Sequence, residues 1–411
     1  MSKRTIAAFA AAAATVLTAG GAMTSQALAQ EVKVGMILPY TGVGAEIAQQ
    51  MDRGMEQYLK LNANEIKPYK ITIIKRDSKA PNGAAAKVDA QELLTQDKVD
   101  VLAGWVYSPD AIASAPVVTA GKRLAVVMNA GTSFITNLSP YFVRTSFTLW
   151  QSSYVMGDQA AKYMHAKTAV VAYTDYPPGK DALAGFKTAF EKAGGKVIDA
   201  IPAGGPEATP DFTPFFQRAK DDHPDVLFVF VPAGDQATAV VKTYAALGMK
   251  AAGVKLVGTG DIVPDNKLQA MGDMAVGLIT VHHYNADLDN PQNKAFKASW
   301  YKTYGANATP PDFTSAGAYD GMAAIVHAVK ATKGKIYDGA AAVKSLEGWK
   351  FASPQGPIMI DPQTRDIVMN EYLDEVVKGS DGKLHEKVLV TVPNVKDQCK
   401  MLAIGPCAPK K

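Results

Sequence analysis

Residues 32–42 read VKVGMILPYTG. The run 32–38 is short and mostly apolar, and it closes on Pro39, Tyr40, Thr41 and Gly42. A strand with one wet face would alternate apolar and polar residues. A short apolar run with little alternation reads instead as a strand buried on both faces, as in a parallel sheet covered by helices. Working outward, a helical pattern follows over about residues 45–62, then a strand-like run at 69–74 and a helix at 81–96. A strand at 99–103, a helix from Asp110 and a strand at 124–128 complete this first series. Strands alternating with helices of this size imply βαβ units and a parallel sheet.

The pattern breaks near 142–149 and restarts. Helices are predicted at 150–166, 180–193, 212–221 and 235–247, interleaved with strands at 168–173, 196–201, 225–231 and 254–258. A strand at 275–281 leads to helices at 291–305, 314–332 and 339–347. Beyond residue 356 the chain reads as extended segments with turns at Asp361-Pro362 and Asp381-Gly382. The expected fold is α/β: two doubly wound lobes with parallel central sheets, joined by a hinge that the chain crosses several times, near 144–150, 274–284 and 370–378. Lobe 1 is expected from 30–148 and 280–370, and lobe 2 from 149–279 and 371–398. A tail covers 399–411.

The N-terminus carries Lys3 and Arg4, an alanine-rich apolar run over 5–19, and Ala27-Leu28-Ala29. Charge, a short apolar core and small residues at the cut make a secretory signal peptide, with cleavage expected after Ala29 and a mature chain starting at Gln30. The run is too short for a membrane span, and no later stretch is long and apolar enough to be one. No cysteine lies near the cut, so no lipid anchor is expected. Removing Lys3 and Arg4 lowers the formal charge from +4 to +2. A nearly neutral chain with interspersed signs offers no surface for nucleic acid. Cys399 and Cys407 are the two cysteines. In an exported chain, two tail cysteines with Gly405 and Pro406 between them read as a disulfide loop.

No nucleophile, metal or phosphate motif is present: there is no GxSxG, HExxH or GxxxxGK[ST]. The histidines are His165, His223, His282, His283, His327 and His385. His282 and His283 are adjacent, and on a strand adjacent side chains point to opposite faces. They are therefore not expected to share a metal, and no cofactor is expected. Binding rather than catalysis is the expectation. In parallel α/β sheets ligands sit beyond the carboxyl ends of the strands. The loops there contain Gly104-Trp105-Val106-Tyr107-Ser108, Asn129-Ala130-Gly131-Thr132-Ser133, Thr174-Asp175-Tyr176, Val231-Pro232-Ala233-Gly234-Asp235 and Gly258-Thr259-Gly260-Asp261. Hydroxyls beside free N–H groups at helix starts suit a carboxylate.

Val34-Gly35-Met36-Ile37-Leu38-Pro39-Tyr40-Thr41-Gly42, the Gly104 to Ser108 loop, Asn129-Ala130-Gly131-Thr132, Thr174-Asp175-Tyr176, Pro210-Asp211-Phe212-Thr213-Pro214, Ala318-Tyr319-Asp320 and Gly356-Pro357 followed by Asp361, in this order and spacing, carry a resemblance. The chain resembles the leucine/isoleucine/valine-binding family of type I periplasmic binding proteins over essentially all of its mature length. The resemblance implies that Ser108 binds a ligand carboxylate through its hydroxyl and backbone, with Ala130 and Thr132 as the next contacts. It implies that Tyr176 lays a ring over the ligand from the second lobe, and that Asp261 meets a ligand ammonium. Trp105, Tyr107 and Asn129 join the expected ligand set from the same loops. Trp105 and Tyr107 are bulkier than a branched-chain amino acid needs, with Trp150, Phe134 and Tyr40 as further aromatic candidates, and Ile47 stands where some members have an aromatic. Some relatives import aromatic acids, amides or urea. The expected function is that of a monomeric periplasmic binding component of an ABC importer, closing on an amino acid and handing it to a membrane permease. The alternatives are an aromatic carboxylate or amide as ligand, or a ligand-sensing role for a membrane receptor.

Overall fold

The computed structural model describes residues 30–79 and 81–408; the expected signal peptide lies outside them. The first sheet contains β1 (Gln30–Leu38), β2 (Tyr69–Asp77), β3 (Val101–Gly104), β4 (Ala125–Val127) and β5 (Phe142–Arg144) in the order β2-β1-β3-β4-β5. All its pairings are parallel. β5 lies in the stretch where the sequence showed only a break. Three residues are too few to display a period, and β4 supplies the pairing that makes them a strand.

Both faces of this sheet are buried, as the run at 32–38 predicts. Val34, Met36 and Leu38 enter one apolar cluster and Ile37 enters the other. Gly35 lets the helix Gly83–Thr95 sit close: a Cβ there would lie 2.9 Å from Leu93 Cδ1. The helices Ala45–Leu61 and Phe313–Ala331 pack together on the opposite face, and at Gly54 a Cβ would be only 2.0 Å from the Ser315 carbonyl oxygen. The late helix therefore returns to lobe 1.

The second sheet contains β6 (Thr168–Tyr173), β7 (Lys196–Pro202), β8 (Val226–Phe230), β9 (Lys255–Thr259) and β10 (Ile279–His282), all parallel in the order β7-β6-β8-β9-β10. The extended C-terminal region supplies β11 (Lys350–Ser353), β12 (Gly356–Ile360), β13 (Ile367–Lys378) and β14 (Leu384–Val395), whose pairings are antiparallel. β13 is the hinge strand: its start pairs with β12 and its later residues pair with β10 and β14. β10 pairs with both β9 and β13, and the chain leaves this sheet after His282, within the crossing expected at 274–284.

A buried ion pair braces this region, with Arg144 Nε 3.3 Å from Asp366 Oδ1 and both side chains almost wholly enclosed. Lys400 also contacts Asp366, which ties the tail to the hinge. Cys399 and Cys407 form a disulfide in that tail. Among the described residues no helix is long and apolar enough to cross a membrane.

Candidate ligand-binding cleft

The carboxyl ends of the two sheets face each other across a nearly closed cleft with a free volume of only about 20 Å³. Lobe 1 lines it with Ile47, Val106, Tyr107, Asn129, Gly131, Phe147, Phe313 and Thr314; lobe 2 contributes Tyr176, Pro178, Phe230, Pro232, Ala233 and Asp261. Leu149 lines it from the crossing.

The loop after β3 shows how local backbone sorts two neighbouring aromatic residues. Gly104 and Trp105 both have positive φ, 112° and 61°. Such a value is an outlier for a bulky residue and needs tertiary support. Trp105 has it: its N–H donates to the Ile37 carbonyl at 2.9 Å, and its own carbonyl accepts from Ala130 N–H at 2.9 Å. The turn drives the indole into the core behind the sheet, where Nε1 donates to Ser114 Oγ at 3.1 Å and the ring meets Phe142 edge-on at 5.6 Å. The expectation that Trp105 faces a ligand is corrected by this placement. Tyr107, two residues on, lines the cavity. Burial, then the nearby Asp110 carboxylate, holds its phenol above the ordinary value.

Ser108 and Thr132 come together and are fully buried; Ser108 Oγ accepts from Thr132 N–H at 3.1 Å. Ser108 opens the helix Ser108–Gly121, so its own N–H has no intrahelical acceptor. Thr132 Oγ1 is buried without a hydrogen-bond partner. Asn129 donates through Nδ2 to the Val106 carbonyl at 3.0 Å, leaving Oδ1 unpartnered. Ala130 turns its methyl into the lobe 1 core. With its N–H given to Trp105, it has only its carbonyl to offer a ligand.

From lobe 2, Tyr176 lies parallel to Phe230, with centroids 6.2 Å apart and planes inclined by 14°. Tyr176 keeps part of its surface on the cleft while sitting deep between the lobes. Burial, then Asp261 and Tyr107, holds its phenol well above the ordinary value. Asp261 is buried, and its Oδ2 accepts from Thr259 Oγ1 at 2.6 Å. Oδ1 is left for a ligand. The cleft lining thus presents aromatic rings and one carboxylate, while Ser108, Ala130 and Thr132 are buried behind the lobe 1 wall and do not line it.

Three lining rings, Phe147, Phe230 and Phe313, were not singled out in the sequence. Phe230 ends β8, so the strand-end rule reaches it if applied one residue earlier. Phe147 sits in the crossing and Phe313 at the start of a returning helix, and only the fold brings them here. Trp150 is buried away from the cavity, and Tyr40 instead donates to Asp52 Oδ1 at 3.2 Å. The two adjacent histidines also differ from expectation. β10 ends at His282 and the chain bends, so the rings do not diverge: their centroids are 4.5 Å apart. Among the described residues the one grouping of three potential metal ligands is Asp397, Cys399 and Cys407, two of which are joined as the disulfide.

A family model described as periplasmic binding protein matches residues 31–383. A Leu/Ile/Val-binding protein homolog 6 from Brucella melitensis is 39% identical over 379 residues, covering 92% of this chain and 96% of its own. The chain belongs to the leucine/isoleucine/valine-binding family of type I periplasmic binding proteins. Among solved structures, this binding protein is similar to a solute-binding protein of an ABC transporter from Rhodopseudomonas palustris BisB5 in complex with 3,4-dihydroxybenzoic acid. Identity is 43%, coverage is 90% of this chain and 99% of that one, and the TM-score is 0.85. A second, from Rhodopseudomonas palustris HaA2 in complex with p-hydroxybenzoic acid, is 40% identical with coverage of 90% and 98% and a TM-score of 0.85. The binding protein is thus a periplasmic solute-binding component of an ABC transporter.

Proposed function

We propose that this binding protein captures a small hydroxylated aromatic carboxylate of the hydroxybenzoate kind and delivers it to an importer permease. The observation that carries the reading is the cleft's lining. Tyr107, Phe147, Tyr176, Phe230 and Phe313 surround a narrow slot that contains one acid, Asp261. Aromatic walls favour a ring through offset or edge-on contacts. The ligand carboxylate lies toward Ser108 and Thr132, and a ring hydroxyl donates to Asp261. The hydroxybenzoates held by the two Rhodopseudomonas palustris relatives support the same ligand class. Export through the signal peptide, a monomeric state and the two-lobe division belong to this reading. Ligand bridging the lobes selects the closed hinge.

A second reading, an amino acid of the branched-chain class, is favoured by Asp261 itself, since a carboxylate also suits an ammonium group. Calorimetric titration of the mature chain from Gln30 separates the two. Binding of 4-hydroxybenzoate tighter than leucine is expected. Leucine binding with no benzoate binding reverses the assignment.

A further inference from the structure

Behind Asp261 lies a histidine that does not itself line the cavity. His282 Nε2 is 3.5 Å from Asp261 Oδ2, and both side chains are more than nine-tenths buried. The contact is long for a hydrogen bond, and Nε2 has no hydrogen-bond partner elsewhere. The other ring nitrogen is committed: Nδ1 accepts the His283 backbone N–H at 3.0 Å. A nitrogen that accepts carries no proton, so the neutral ring holds its proton on Nε2, facing the acid. Packing holds the ring in this orientation. Phe147 and Phe313, both cleft residues, lie 4.6 and 4.3 Å from it between centroids. Gly260 lets the acid-bearing loop lie against it, because a Cβ there would be 2.7 Å from His282 Cβ.

The next residue has its tautomer assigned the opposite way. Gln355 gives its amide N–H to Asp320, so its oxygen faces His283 Nδ1, which therefore carries the proton. The chain of contacts runs from the lobe 2 acid through the crossing to lobe 1. A neutral donor behind Asp261 orients the carboxylate without cancelling its charge. A cation there would compete with the ligand's own donor for that charge.

We infer that His282 is a positioning residue and a determinant of specificity: it aims the Asp261 carboxylate at the donor group of the ligand, and so sets the preference for ligands that carry one. This rests on the reading that a ligand donor meets Asp261. The test compares two probes that differ only in that donor, 4-hydroxybenzoate and benzoate, by calorimetry on the mature chain. His282→Phe keeps a flat ring but removes Nε2–H. It should weaken 4-hydroxybenzoate by about threefold to tenfold, less than the loss of a full hydrogen bond to a charged group because the contact is long, while changing benzoate less than about twofold. His282→Gln places an amide N–H near the same point and should restore most of the preference. In an Asp261→Asn background, His282→Phe should no longer alter the ratio of the two affinities. Equal weakening of both probes, or a glutamine variant that behaves like the phenylalanine one, overturns the inference. If the wild type binds neither benzoate, the proposed ligand class fails, and leucine against 4-methylpentanoate, which lacks the ammonium, reads the same variants. Ring ¹⁵N shifts of the protein without added ligand give a readout independent of both pairs: a proton on Nε2 of His282 is expected, and a proton on Nδ1 overturns the inference.

Discussion

The lobe 1 and lobe 2 walls of the cleft present opposite chemistry to a ligand. Lobe 1 brings Tyr107, Asn129 and Thr314 to the wall, with Ser108 and Thr132 fully buried behind it and partly engaged with each other. Lobe 2 brings a carboxylate, Asp261, and a flat pair of rings, Tyr176 and Phe230. In the proposed reading the ligand is polar at each end, with an acceptor toward lobe 1 and a donor toward lobe 2. An asymmetric cleft of this kind discriminates by the group at the donor end, because a buried polar group left unpaired costs more than a weak contact gains.

The largest expected effect tests which residues belong to the lobe 1 wall at all. Trp105→Ala removes a ring from the core, so it should cost about 3–5 kcal/mol of unfolding free energy. Denaturant melts check this; a variant of normal stability with altered affinity would return Trp105 to the cleft. Next in size is Asp261→Asn. For a hydroxylated ligand the loss should be about 1.5–3 kcal/mol, roughly tenfold to a hundredfold in affinity, while benzoate binding should stay level or tighten. An ammonium ligand would lose more, about 2–5 kcal/mol.

Ser108→Ala should act differently from the lobe 2 change. It leaves the Thr132 N–H without its acceptor and removes a hydroxyl from the carboxylate end. It should weaken benzoate and 4-hydroxybenzoate alike, by about 1–2 kcal/mol. A loss confined to one probe would break the division of labour between the walls.

The smallest effect concerns buried carboxylates, two of which, Glu371 and Asp374, lie on the hinge strand β13. Burial raises Asp110, Asp181, Asp320 and Asp374 to about 7 and Glu371 to about 8. The native state therefore holds protons that the unfolded chain releases at lower pH, so stability falls as pH rises through these values. His283 and His327, whose pKa values burial lowers, push the other way but are fewer. The melting temperature should be lower at pH 8 than at pH 5.5, and Glu371→Gln, which removes a titrating group from β13, should flatten the slope.

The alternation of strands and helices, the number of lobes and the strand-end loops follow from local pattern. Apolar runs such as 32–38 and 226–230 can be buried only between helical layers, and ligands meet such sheets at their carboxyl ends. The candidate residues Tyr107, Asn129, Tyr176 and Asp261 could be named because they sit in those loops, and all four line the cavity. Phe147 and Phe313 carried no such signal. They reach the cleft through a crossing and a returning helix, which are long-range contacts without a local period.

By itself the sequence determined the two α/β series, the strand-end loops, the pairing of Cys399 with Cys407 as the only two cysteines, and the absence of any motif for covalent chemistry. Tertiary structure alone decided which way side chains in those loops point. Trp105 and Tyr107 are two residues apart, yet a positive φ held by the Ile37 and Ala130 backbone partners sends one to the core and the other to the cleft. His282 and His283 are adjacent, yet the end of β10 turns both rings toward Phe147. Residue type and spacing fix how often a side chain recurs along an element. Its final direction depends on backbone dihedrals set by partners more than twenty residues away, and no local pattern records those.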